Sequence, residues 1–302
     1  MPTPAPPDVL DRIRAAMSAT VAALQDRICA ALERADGSAR FGTDRWERPG
    51  GGGGVTRVLQ DGAVFEKAGV NASDVHGTVE PGLARRLGGD GADFAATGLS
   101  VVVHPRSPLV PTVHANVRFL RRGGAGWFGG GADLTPYYLF EEDCRHFHAV
   151  LRDACERHDP GSHARHKHAA DEYFHLRHRG EHRGVGGIFF DDLGGDLDRA
   201  LAFSADVGGA FLDAYLPIVA RRKHLPHGEA ERRWQEIRRG RYVEFNLVYD
   251  RGTVFGLETA GRVESILMSL PPRVRWPYDF RPAPGSPEAA LLDVLRTPRD
   301  WV

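Results

Sequence analysis

The chain has 302 residues, and its 39 basic and 40 acidic residues leave a net charge of −1. This balance excludes a strong attraction of the whole molecule to nucleic acid or to an anionic membrane, so local Arg groups must bind any anionic ligand. The length allows two domains or one large domain.

Cysteine usage and the apolar runs indicate a cytoplasmic protein. Cys29, Cys144 and Cys155 are far apart and form no C-x-x-C pair, which favours a reducing compartment over a disulfide framework or a zinc knuckle. We expect Cys144 to be a buried, inert thiol. No apolar run reaches the roughly 20 residues of a membrane span, and the N-terminus lacks the pattern of a secretory signal.

The first hundred residues predict one helix and one hairpin. Residues 1–7 are Pro-rich and predicted to be loose, and apolar residues at three- to four-residue spacing predict a helix from Asp8 to Arg34. Five consecutive glycines at 50–54 indicate either flexibility or a close approach to a ligand. A hairpin should turn at Asp61–Gly62. Residues 80–97 are Gly-rich and predict a surface loop, a candidate lid.

The rest of the chain predicts strands grouped together and helices in blocks. Strands are expected at 99–104, 112–120, 126–134 and 185–193, and helices at 141–157, 163–178, 198–222 and 229–239. Residues 241–259 predict a second hairpin, and 264–270 fit either a strand or a short helix. This arrangement favours a single α+β domain, a large antiparallel sheet flanked by α-helices on both faces.

Residues 112–120 carry a row of polar groups. His114, Asn116 and Arg118 lie at even spacing, so on a strand they share one face. An imidazole can transfer protons near neutral pH, and a guanidinium can bind a carboxylate through two hydrogen bonds. The row therefore fits one wall of an active site, although the solvent face of an edge strand would give the same pattern.

Two further groups could contact a ligand. Asp133 follows three glycines that let a flat ligand approach, and its carboxylate could accept hydrogen bonds from that ligand or cap a turn. Arg262 follows Ala260–Gly261, where main-chain N–H groups and a guanidinium could meet one anion. The Arg residues at 238, 239 and 241 are predicted to form a solvated face.

A metal site is possible but not indicated by spacing. One could draw on His104, His114, one of His146 and His148, and one of the histidines at 175 and 178, because neutral imidazoles suit Zn, Mn, Fe or Cu. The spacings match no compact metal motif, and a chain with 14 histidines contains chance groupings.

Long strings of the sequence resemble those of the oxygen-dependent coproporphyrinogen III oxidases. They include VFEKAGVN, HPRSPLVPTVHANVRF, WFGGGADLTPYY, GEHRGVGGIFFDDL, RRGRYVEFNLVYDRGT and the terminal PRDWV. The resemblance implies a homodimer that converts two propionates of coproporphyrinogen III to vinyl groups and yields protoporphyrinogen IX. Molecular oxygen is the implied co-substrate, carbon dioxide and hydrogen peroxide are the by-products, and neither flavin nor nicotinamide is used.

The resemblance also implies roles for individual positions. His114 matches the proton donor, Asp133 the acid that meets pyrrole N–H groups, and Arg118 a catalytic and substrate-binding position. The implied substrate contacts are Ser100, Asn116, Val117, Arg118, Ala260, Gly261 and Arg262, and the implied ligands of a divalent metal, most readily Mn, are His104, His114, His148 and His178. Residues 242–277 match the dimer-forming region.

Two rival functions fit the same residues. A His-ligated metal oxygenase would bind oxygen at its ion and lose activity to a chelator. A non-catalytic porphyrin carrier would bind a tetrapyrrole without consuming oxygen, and the presence of His114, Arg118 and Asp133 together argues against it.

Overall fold

The computed structural model describes residues 2–78, 91–258 and 261–302. Ten strands lie in these ranges: β1 (Thr3–Pro4), β2 (Gly42–Glu47), β3 (Gly52–Gln60), β4 (Phe65–Thr78), β5 (Asp93–Pro105), β6 (Thr112–Arg122), β7 (Ala125–Thr135), β8 (His175–Leu176), β9 (Glu181–His182) and β10 (Gly187–Leu193). Eight of them form one sheet in the order β1-β7-β6-β5-β4-β3-β2, with β10 also paired to β7, and all of these pairings are antiparallel.

Eight helices lie in the described residues: α1 (Pro7–Asp36), α2 (Glu141–Glu156), α3 (Ser162–Tyr173), α4 (Leu197–Arg222), α5 (Glu229–Val248), α6 (Arg251–Glu258), α7 (Val263–Leu267) and α8 (Pro287–Arg296). Helices α1 and α4 pack against each other and against the middle strands of the sheet, and α2 packs on α4. The apolar stripe of α1 predicted from its spacing is buried in this layer.

The two faces of the sheet are covered differently. Alternate residues of β6, such as Val113, Val117 and Phe119, join the apolar core under α1 and α4. The opposite face meets the segment around α7, where His104 donates to the Ser269 carbonyl at 2.8 Å and Lys67 to the Leu270 carbonyl at 2.8 Å. The predicted α+β sheet with helices on both faces is thus confirmed.

The second predicted hairpin, at 241–259, is wrong. Residues up to Val248 continue helix α5, and a second helix, α6, begins at Arg251. The alternation of Val243, Phe245 and Leu247 suggested a strand, but Leu247 is exposed. The buried residues have helical spacing and are Tyr242, Val243, Phe245 and Asn246. Tertiary burial of that helix face outweighs the local β propensity of the segment.

Other boundaries also differ from the prediction. Thr3 and Pro4, predicted to be loose, pair with β7. Strand β5 begins at Asp93, inside the loop predicted at 80–97 as a candidate lid, and residues 80–90 of that loop lie outside the described residues. The helix predicted at 163–178 ends at Tyr173, and the ambiguous run at 264–270 contributes to the short helix α7.

Helix α4 is the one described helix that is long and apolar enough to cross a membrane, and 56% of its apolar window is buried inside the protein. A core helix passes the same test, so this is weak evidence for a span. All three cysteines are free and buried. Burial raises the pKa of the Cys144 thiol to about 12, as expected of an inert group.

Candidate active site

The register of the sheet places the predicted polar row side by side with Asp133. His114 of β6 pairs with Asp133 of β7, Asn116 with Gly131, and Arg118 with Gly129. On the other side of β6, Ser100 pairs with Asn116. Cross-strand partners point to the same face of a sheet, so these groups share the face opposite the main core.

The side chains of the row are joined by hydrogen bonds. His114 Nδ1 lies 3.0 Å from Asp133 Oδ1, and Asn116 Nδ2 lies 3.2 Å from His114 Nε2. Arg118 donates to Asn116 Oδ1 at 3.1 Å. Since Asn116 uses its oxygen to accept from Arg118, its amide N–H group points at His114 Nε2, which must then be the accepting, unprotonated nitrogen. The row therefore holds His114 between Asp133 at Nδ1 and Asn116 at Nε2.

Asp133 is buried and bound to an arginine that sequence analysis missed. Its side chain is 1% exposed, and Arg183 donates to it through Nε at 3.1 Å and through a second nitrogen. Burial alone would raise the pKa of Asp133, but Arg183 and the hydrogen bond with His114 hold that pKa below its usual value. The carboxylate is thus ionised and occupied, and contact with a pyrrole N–H would require it to release a partner.

Arg183 connects the row to the helices above the sheet. Its guanidinium carbon lies 4.5 Å from the ring centre of Phe174, 4.6 Å from that of Tyr242 and 4.5 Å from that of Phe245. It also donates to Asn246 Oδ1 at 2.8 Å. Cation–π contacts and a buried ion pair fix this side chain, and through it the position of Asp133.

Arg118 is the more accessible end of the row. Its side chain is 31% exposed, and it donates to Asp191 of β10 at 3.0 Å. A Cβ atom at position 129 would lie 2.9 Å from an Arg118 nitrogen, so Gly129 makes room for the guanidinium. This arrangement leaves a cation that is partly open to a ligand and is held by one exchangeable carboxylate.

The four histidines expected as metal ligands make separate hydrogen bonds. His104 and His148 donate to the main-chain carbonyls of Ser269 and Val185, and His178 bonds Glu244 Oε2 at 2.7 Å. His114 is held by Asp133 and Asn116. Within the described ranges, no three His, Cys, Asp or Glu side chains form a group that could hold a metal ion. As they lie, these residues do not fit one shared ion.

The remaining expected substrate contacts are divided between two places. Val117 is 2% exposed and faces the core, so only its main chain could touch a ligand. Gly261 and Arg262 line a cleft of about 370 Å³ beside β2, β3 and β4, where Arg262 pairs with Asp44. Ala260 lies outside the described residues.

Several buried charges were not anticipated. Arg238 and Arg239, predicted to be solvated, are 2% and 1% exposed and pair with Glu181 and Glu66. The helix predicted at 229–239 ended before the residues that continue α5 to Val248, so the burial of Arg238 and Arg239 was not recognised. Long-range partners decide such burial.

The chain also matches a family model. The model described as coproporphyrinogen III oxidase covers residues 16–301, and so includes every residue of the row, Asp133 and Arg183.

Proposed function

The chain belongs to the coproporphyrinogen III oxidase family, whose members are oxidoreductases of porphyrin biosynthesis, and we propose that it is an oxygen-dependent member. The substrate is coproporphyrinogen III and the product protoporphyrinogen IX. The observation that carries the proposal is the hydrogen-bonded row in which His114 lies between a buried, ionised Asp133 and Asn116, with Arg118 at its open end.

The reaction needs an oxidant, and oxygen supplies it. Each propionate side chain loses its carboxylate as carbon dioxide, and the carbon attached to the pyrrole ring loses one hydrogen together with two electrons as the vinyl group forms. Oxygen takes up two electrons and two protons and leaves as hydrogen peroxide. Two such steps convert two propionates, and the proposal requires neither flavin nor nicotinamide.

We assign Arg118 to the binding of a propionate. A guanidinium recognises a carboxylate in a fixed geometry, and Arg118 can exchange Asp191 for a substrate group because both side chains are partly exposed. Holding the reacting propionate in one orientation lowers the entropic part of the barrier. Ser100, Asn116, Gly261 and Arg262 remain proposed contacts of the same substrate.

We assign His114 to proton transfer. Its Nε2 accepts from Asn116 and can take a proton when a ligand displaces that amide, and Asp133 stabilises the imidazolium that results. Arg183 keeps Asp133 ionised, and Asp133 is hydrogen-bonded to His114. It can accept from a pyrrole N–H only after it has released one of its partners. The electron-rich pyrrole itself is proposed to react with oxygen in this partly water-excluded site.

The other proposals follow from the family. We propose a homodimer formed through residues 242–277 and a cytoplasmic location. A divalent metal such as Mn is not assigned to the four histidines, because their separate hydrogen bonds do not fit one shared ion.

An aerobic and an anaerobic assay test the proposal directly. The protein would be given coproporphyrinogen III in air or under argon, and product would be read by porphyrin fluorescence after oxidation. We expect product only in air, with one carbon dioxide released per vinyl group. Equal product under argon would contradict oxygen dependence, and tight binding without turnover would favour the porphyrin carrier.

A further inference from the structure

The five glycines at 50–54 follow directly on residues that line the cleft beside β2, β3 and β4, among them Trp46 and Arg48. Residues 48–51 make the turn that joins β2 to β3, where Gly51 N–H donates to the Arg48 carbonyl at 2.9 Å. Gly52 begins β3 and pairs with β4, and the two glycines after it pair with both β2 and β4. The run is therefore an ordered part of the sheet.

The glycines leave space for two side chains of the β2 edge. A Cβ atom at position 54 would lie 2.5 Å from the Trp46 ring, and one at position 50 would collide with the Arg48 guanidinium. Trp46 and Arg48 both line the cleft, together with Phe94, Phe255 and Arg262. The glycine run thus lets an aromatic ring and a cation lie flat at the edge of this cleft.

Arg48 has spare hydrogen-bonding capacity. One of its nitrogens donates to the His76 carbonyl at 3.0 Å, and its guanidinium carbon lies 5.4 Å from the Phe94 ring centre. No carboxylate among the described residues forms an ion pair with it, whereas Arg262 is already paired with Asp44. Glu47 and Glu264 also line the cleft, and their carboxylates repel an entering anion. The favourable place for an anion in this cleft is therefore beside Arg48.

The cleft adjoins the site at Arg118. Ser73, which lines the cleft, pairs with Gly98, and Gly98 pairs with Arg118 on the next strand. Two strand spacings separate them, about 10 Å. A flat ligand lying on this face of the sheet can therefore reach Arg118 and the cleft together.

We infer that Arg48 binds a carboxylate of the tetrapyrrole that is not decarboxylated, while the reacting propionate lies at Arg118. The inference rests on the proposed function. The substrate carries four carboxylates around its rim, so one ring can be anchored in the cleft against Trp46 and Phe94 as another reacts. Arg48 is then a specificity-determining residue that fixes the register of the macrocycle on the sheet.

The test compares Arg48→Gln and Arg48→Lys with Arg45→Gln. Arg45 is an exposed cation of the neighbouring strand β2 and is not among the residues that line the cleft. Loss of a partly exposed charge-assisted contact should raise the KM for coproporphyrinogen III about tenfold in Arg48→Gln, with kcat changed less than about twofold. Arg48→Lys should recover part of the affinity, and Arg45→Gln should match the wild type.

A second substrate separates anchoring from an indirect effect. Coproporphyrinogen III with a methyl ester on one non-reacting propionate should show a raised KM with the wild type and no further rise with Arg48→Gln. A wild-type KM in Arg48→Gln would overturn the inference. So would an ester that raises the KM of Arg48→Gln by the same factor as that of the wild type. Both outcomes would leave the oxidase activity established. An inactive wild-type protein would instead overturn the proposed function, and the inference with it.

Discussion

Individual side chains of the site depend on partners that lie far away in the sequence. The shared face of His114, Asn116 and Arg118 follows from their spacing alone, and the structure brings them together as predicted. The spacing could not show that Asp133 is saturated by Arg183, because those residues lie 50 positions apart and meet only when β7 and the segment before β10 pack together.

The buried pair of Asp133 and Arg183 gives a stability prediction. Arg183→Met would leave the carboxylate buried without its cation, and such a loss typically costs about 3–5 kcal/mol in the free energy of unfolding. Denaturant unfolding measures this cost. In the double variant with Asp133→Asn the uncompensated charge is gone, so part of the stability should return; a double variant as unstable as the sum of the single variants would argue against the pairing.

The open end of the row gives an activity prediction. Arg118→Ala removes the group proposed to orient the reacting propionate, and we expect kcat/KM to fall by about 100-fold or more. Arg145→Ala is the matched control, because Arg145 is an exposed helix residue away from the sheet face. Near-normal kinetics of Arg118→Ala, measured by product formation in air, would remove the propionate-binding role.

Among the helices and strands, those whose apolar residues follow one clear period were predicted correctly from the sequence. Segments whose apolar residues fit both a helical and a strand period were not. The helix stripe of α1 and the β3–β4 hairpin are confirmed, with the turn at Asp61–Gly62. The first half of helix α5 was predicted, but its second half was mistaken for a strand because its apolar residues alternate while its buried face follows a helical period. What decides between these readings is the partner surface, which a single sequence does not display.

The junction of α1 with the β3–β4 turn depends on one carboxylate. Asp36 accepts hydrogen bonds from the backbone N–H groups of Val64 and Phe65, each at 2.9 Å, and from Ser38 Oγ at 2.8 Å. We expect Asp36→Asn to lower the free energy of unfolding by about 2–4 kcal/mol, because its amide group opposes these donors. Asp8→Asn at the start of α1 is the control.

The same residue gives a pH dependence. Burial alone would raise the pKa of Asp36, but the hydrogen bonds it accepts lower that pKa well below its usual value. The stability it contributes is therefore complete above the unfolded-state pKa of about 4 and is lost as the pH falls below it. The difference between wild type and Asp36→Asn should shrink toward acid pH in unfolding experiments; a constant difference would show that the carboxylate charge is irrelevant.

For the whole molecule, several exposed apolar residues lie in the region proposed to form a dimer. Leu247 and Val248 of α5, Val263 of α7 and Trp276 are 44%, 60%, 47% and 52% exposed, and all lie in the proposed dimer-forming region. Such a cluster is costly unless it is covered. The resemblance predicted a dimer-forming role for this region, but not the helical form it has.

A charge in this surface should separate the subunits. We expect the wild type to sediment as a dimer and Val248→Glu as a monomer, because a carboxylate in an apolar interface is left without a partner. Val302→Glu, at an apolar position of similar exposure at the C-terminus, should remain dimeric. Sedimentation velocity checks all three, and a dimeric Val248→Glu would place the interface elsewhere.

We propose that the chain's own acid–base groups and oxygen suffice for the decarboxylation. The most direct measurement is an aerobic assay of metal-stripped protein with and without added Mn, recording oxygen consumed, carbon dioxide released and vinyl groups formed. We predict the same rate in both samples, with one oxygen and one carbon dioxide per vinyl group. Activity that appears only when Mn is added would contradict the claim and make the histidines a working metal site.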